Sequence, residues 1–144
     1  MKTIFLIFAF HFALQSGTPP QEQFVHVYRY LNLIESDAET ISRMFGIPKA
    51  VIMAQGCQES GFGTSFICTH YCNHFGIKNG FFDSQFECFL RYAEILVSSK
   101  CYQNLQPKTI DEWMHALVCC GYAGDENYTT SLKIIIQTYN LDAL

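Results

Sequence analysis

Positive charge is scarce in this chain. Nine Lys and Arg stand against thirteen Asp and Glu, a formal net charge of −4 over 144 residues. No basic stripe interrupts that balance, which excludes nucleic acid as a partner, because phosphate recognition needs clustered cations. Long apolar runs are missing too. The apolar stretch from Ile4 to Leu14 is too short to cross a bilayer and no second one follows, so no stable membrane insertion is expected. Strand signals are few, and there is no internal repeat or low-complexity tract.

Two kinds of chemistry lack their usual pattern. Cys68-Thr69-His70-Tyr71-Cys72-Asn73-His74 alternates metal-capable side chains, but the distant second pair of a structural zinc site is absent. No metal and no cofactor are therefore expected. A cysteine nucleophile paired as Cys57/His70 or Cys57/His74 would be the mark of a wall-peptide hydrolase. No glycine-flanked nucleophile motif accompanies Cys57.

The length suits one domain with a sizeable core. Residues 1–16 read as a secretory signal, with Lys2 before the apolar stretch and a cleavage position ahead of Gly17. Residues 17–23 read as a spacer and 24–144 as the folded domain. The product expected is an exported, extracellular or periplasmic monomer. Seven cysteines, Cys57, Cys68, Cys72, Cys88, Cys101, Cys119 and Cys120, then imply disulfides, with at least one thiol left over. Three bridges drawn from seven cysteines leave about 105 connectivities, which sequence does not select among. Adjacent Cys119 and Cys120 should point to different sides of their helix.

Helical periodicity runs through most of the chain. Phe24, Val27, Tyr28, Leu31 and Ile34 recur at spacings of three and four, and a second segment with Ile41, Met44 and Phe45 stops at Gly46. Pro48 suits the first turn of the next helix. Ser60 to Asn79 reads as irregular, with turn-forming glycines. Ser84 to Glu87 and Thr109 to Glu112 have capping-box spacing. They lead helices with apolar faces at Phe86, Phe89, Leu90, Ala93, Leu96 and Val97, and at Trp113, Ala116, Leu117 and Cys120. A last helix, about Tyr128 to Tyr139, should bury Leu132, Ile135, Ile136 and Tyr139. The expected fold is all-α.

Glu59 stands out against this background. It ends the apolar run from Ile47, and the chain then turns polar and glycine-rich through Ser60-Gly61-Phe62-Gly63-Thr64-Ser65. A carboxylate where a buried helix opens onto a glycine loop is partly desolvated. Burial disfavours its charged form, and a raised pKa is what a general acid needs near neutral pH. The plainer reading is an exposed residue closing a helix. Further on come Asn73, Phe75-Gly76-Ile77-Lys78, Gly121-Tyr122-Ala123, Asp125 and Tyr128.

With Ala54-Gln55, Glu59-Ser60-Gly61, Gly63 and Ser65, that ordered set resembles the glucosaminidase domain of glycoside hydrolase family 73, over about residues 24 to 142. The family is lysozyme-like and cuts the glycan strands of bacterial peptidoglycan. The resemblance implies a lysozyme-like helical domain and endo-β-N-acetylglucosaminidase chemistry, with a peptidoglycan strand as partner and Glu59 as general acid. It places Tyr122 beside the scissile sugar and makes Asn73, Phe75 and Tyr128 shape the cleft. The family carries a candidate second acid on a β-hairpin after the F-G-I-K motif. Here only Asn79-Gly80-Phe81-Phe82-Asp83-Ser84 separates Lys78 from the next helix, so the hairpin is largely deleted. Asp125 is the better protein substitute, ahead of Asp83, whose place at a helix start capping explains, and of Glu87, the capping-box partner. The substrate's own acetamido group is the other way to stabilise the anomeric centre. The rival reading is a non-catalytic glycan-binding or inhibitor protein that kept the cleft. Asn127-Tyr128-Thr129 is a glycosylation sequon, read here as an unmodified helix start.

Overall fold

The computed structural model describes residues 20–124 and 126–143. The expected signal, residues 1–16, and Asp125 lie outside them. Among the described residues every regular element is helical: α1 Pro20–Phe45, α2 Lys49–Ser60, α3 Phe66–Tyr71, α4 Gln85–Ser98, α5 Lys100–Leu105, α6 Ile110–Cys119, α7 Glu126–Thr138 and a 3₁₀ turn at Leu141–Ala143. The all-α expectation holds, and the segment from Lys78 to Ser84 forms no strand.

α2 is the axis of the domain. It packs against α1, α6, α7 and the 3₁₀ turn. Ala50 to Cys57 are buried without a break, as expected for a helix that is apolar on all sides and sits in a core. The surrounding helices are one-sided. α1 turns Tyr30, Leu31, Ile34, Ala38 and Ile41 inward, while α4 turns in Cys88, Phe89, Tyr92, Ala93 and Leu96. Lys49 ties the start of α2 to α1 through Glu35 at 3.5 Å and Glu39 at 3.3 Å.

The helix ends follow local chemistry. Thr109 and Glu112 form a full capping box, the Thr109 N–H donating to Glu112 Oε2 at 3.0 Å. Ser84 Oγ accepts from the Glu87 N–H at 3.2 Å. Glu87 reaches back one residue further than a standard box, accepting from the Asp83 N–H at 2.9 Å. Gly61 ends α2 in the left-handed conformation (φ 58°), which a glycine adopts without a Cβ penalty.

Several expectations need correction. The two segments read before Gly46 are one 26-residue helix, since nothing between Ile34 and Ile41 breaks it. Its described part runs from Pro20. Phe24 and Tyr28 are 58% and 51% exposed, whereas Leu31 and Ile34 of the same expected set are buried, together with Tyr30, Ala38 and Ile41. Residues 60–79 contain a helix, α3, whose six residues are too few to show a period. Ser65 caps it, accepting from the Cys68 N–H at 3.3 Å. α5 was not anticipated. Only one disulfide forms, Cys101–Cys120, while the other five cysteines are free. Cys57 and Cys88 are sealed in the core on different helices, whereas Cys119 faces outward beside His115. The adjacent cysteines do point to different sides.

Candidate active site

Glu59 lies in the last turn of α2, held between two segments distant in sequence. From α7, the Tyr128 hydroxyl donates to Glu59 Oε1 at 2.6 Å. From the α3–α4 loop, Gly76 (φ +63°) approaches Oε2 so closely that a Cβ there would lie 3.7 Å away. Burial raises the Glu59 carboxyl above its ordinary range and the Tyr128 bond partly opposes it. Desolvation therefore outweighs the hydrogen bond, and the protonated form is favoured further toward neutral pH than in an exposed glutamate.

A row of donors leads into that carboxyl. The Tyr92 hydroxyl donates to Gln55 Oε1, and Gln55 Nε2 donates to the Tyr128 oxygen at 3.2 Å. With its oxygen accepting from Gln55, Tyr128 points its own proton at Glu59. Every donor in the row faces the same way. Tyr122 joins from the turn before α7, its ring 6.0 Å from that of Tyr128. Burial pushes the Tyr122, Tyr92 and Tyr128 hydroxyls well above the ordinary tyrosine value, and the neighbouring Glu59 charge adds to it. The tyrosines around Glu59 are thus neutral donors.

Of the residues singled out in the sequence, Glu59, Tyr122 and Tyr128 come together. Asn73 and Phe75 are buried, 3% and 2% exposed. Asn73 shapes its own loop: its amide accepts from the Ile77 N–H at 2.9 Å and donates to the Ile77 and Gly80 carbonyls at 2.8 and 3.1 Å. The Phe75 ring stacks on Tyr92 at 3.9 Å and so supports the donor row. Sequence reasoning missed Gln55 and Tyr92 as site residues. Gln55 carried a signal, being the first amide after the apolar run Ala50 to Ala54, one turn before Glu59 on the same face. Tyr92 carried none beyond its place on an apolar face.

His70 is exposed and stacked on Phe66 at 4.1 Å, while His74 is buried on the other side of the loop. Among the described residues no three His, Cys, Asp or Glu side chains gather as a metal would require. Burial pushes the Cys57 thiol up to about 12, which makes it a poor nucleophile.

Residues 35–141 match the Glucosaminidase family, described as mannosyl-glycoprotein endo-beta-N-acetylglucosaminidase. All six residues singled out for the site fall inside that stretch. Among solved structures, the fold matches the catalytic domain of the autolysin Auto from Listeria monocytogenes. The TM-score is 0.71 over 91% of each chain, at 20% sequence identity, a likeness of fold alone. No curated protein sequence matches. With the family match covering most of the chain, the protein belongs to the Glucosaminidase family of endo-β-N-acetylglucosaminidase-type glycosidases.

Proposed function

We propose that this protein is an exported hydrolase of the β-1,4 bonds in bacterial peptidoglycan, cutting after N-acetylglucosamine with Glu59 as general acid. The observation that carries the reading is the Tyr128 hydroxyl, 2.6 Å from Oε1 of a partly buried Glu59. An acid whose Oε1 already accepts a hydrogen bond holds its own proton on Oε2. That oxygen faces the Gly76 backbone, where a Cβ would lie 3.7 Å from it. Protonation of the leaving-group oxygen is the step glycoside cleavage requires.

The second group is assigned with the hairpin missing. Tyr122 serves as a neutral hydroxyl that orients the acetamido group or steadies positive charge at the anomeric carbon. Asp125 is the protein candidate for a base. Asp83, whose backbone N–H donates to Glu87 Oε2 ahead of α4, ranks behind it. Asn73 and Phe75 hold the loop that presents Gly76. No cofactor or metal enters the mechanism, and the enzyme acts as a monomer on the glycan strand.

Zymography on bacterial walls tests the reading against a non-catalytic glycan binder. Glu59→Gln keeps shape and loses the proton, so clearing should fall by about 10²- to 10⁴-fold. Undiminished clearing by Glu59→Gln removes Glu59 from the mechanism, and a wild type that binds walls without clearing them favours the rival.

A further inference from the structure

A second buried polar group adjoins Glu59 along the chain. Ser60, the next residue, is fully buried. Its hydroxyl oxygen accepts from the Gly63 N–H at 2.8 Å and lies 2.6 Å from the Gly56 carbonyl and 3.0 Å from the Tyr30 hydroxyl. The Tyr30 hydroxyl lies 2.9 Å from His74 Nδ1 and 3.2 Å from the Gly56 carbonyl. Tyr30 and His74 also stack, with ring centroids 5.8 Å apart. Burial takes His74 down to about 4, so across the working range the ring is neutral, and in the tautomer protonated at Nε2 its Nδ1, which also lies 3.4 Å from Cys68 Sγ, accepts the Tyr30 proton. The Gly63 backbone lies against the Tyr30 ring, where a Cβ would come within 2.4 Å. One hydroxyl from α1 therefore joins the end of α2 to the loop that carries Asn73, Phe75 and Gly76.

We infer that Tyr30, Ser60 and His74 form a positioning unit that sets the distance between the Glu59 carboxyl and the Gly76 backbone. The inference rests on the reading of Glu59 as general acid. Ser60 fixes the end of the helix that bears the carboxyl, and His74, two residues before Gly76, fixes the loop facing Oε2. Tyr30 is the only side chain of the three that lies outside both segments, and it holds them together. A network serving stability alone would change the melting temperature without selecting kcat. A positioning unit acts on turnover, since a displacement of about 1 Å at a reacting group costs up to about 10²-fold.

The test measures kcat and KM on solubilised glycan strands for Tyr30→Phe, His74→Leu, His74→Asn and Glu59→Gln, with thermal melts alongside. Tyr30→Phe keeps the ring against Gly63 and removes only the hydroxyl. The expected result is a 10- to 100-fold fall in kcat at unchanged KM for Tyr30→Phe and His74→Leu. His74→Asn, whose side-chain oxygen can replace Nδ1 as acceptor, should recover most of it. Normal kcat in a folded Tyr30→Phe overturns the inference, as does equal loss in His74→Asn and His74→Leu. Should His74→Leu not fold, Tyr30→Phe and His74→Asn decide between them. Full activity in Glu59→Gln would instead sink the acid assignment itself, a separate failure.

Discussion

The Tyr128 hydroxyl donates to Glu59 Oε1 across 2.6 Å, joining residues 69 positions apart. Two effects meet on the carboxyl. Burial raises its pKa and the tyrosine lowers it, with burial the larger. What the tyrosine adds is direction, because its donated bond occupies Oε1 and not Oε2.

Tyr128→Phe should therefore move the pH profile in a defined sense. Its hydroxyl stabilises the charged carboxylate, so its loss raises Glu59 further. The alkaline limb of kcat against pH should shift upward. Turnover at the optimum should fall roughly five- to tenfold, as for one hydrogen bond of about 1 kcal/mol. A limb that stays in place or moves to lower pH would separate Tyr128 from Glu59.

Glu59→Gln should also change stability with pH. Because the folded-state pKa is raised, the native protein binds the Glu59 proton more tightly than the unfolded chain does. Stability then falls as pH rises from the ordinary carboxylate value through the raised one. Glutamine has no such dependence. The melting temperature of Glu59→Gln relative to wild type should rise from pH 4 to pH 7, and a difference that is flat or declines contradicts the burial.

Reduction should cost the stability of one bridge. Cys101–Cys120 spans 19 residues, and a loop of that size contributes about 3 kcal/mol by constraining the unfolded chain. Urea unfolding with and without a reductant measures it. Alkylation of the unreduced, denatured protein should label five thiols. A single labelled thiol would mean three bridges.

Gly63→Ala should destabilise more than Gly46→Ala. Both glycines have positive φ, +79° and +72°, but a Cβ at 63 meets the Tyr30 ring at 2.4 Å, and nothing lies within 4 Å at 46. The shared backbone cost is about 1 kcal/mol, and overpacking against Tyr30 adds about 1–3 kcal/mol. Equal losses in denaturant unfolding would show that the ring moves aside freely.

Sequence alone determined the class of fold and marked Glu59 as a carboxyl at the end of a buried helix. Periodicity at spacings of three and four, the Thr109 box and Gly61 are local signals, and they marked most helices and several of their ends. Glu59 was legible for the same reason: an apolar helix ending in a carboxyl and a run of glycines is a pattern within a few residues. Tertiary structure decided the rest. That Tyr128 meets Oε1, that Gln55 lies between Tyr92 and Tyr128, and that Tyr30 reaches both Ser60 and His74 depend on how α1, α4 and α7 cross α2. Period constrains the face a residue occupies, not its partner on another helix. The cysteines make the same point. Seven thiols suggest several bridges, but only the approach of α5 to the end of α6 brings two sulfurs within bonding distance, and Cys57 and Cys88 are buried as free thiols on different helices.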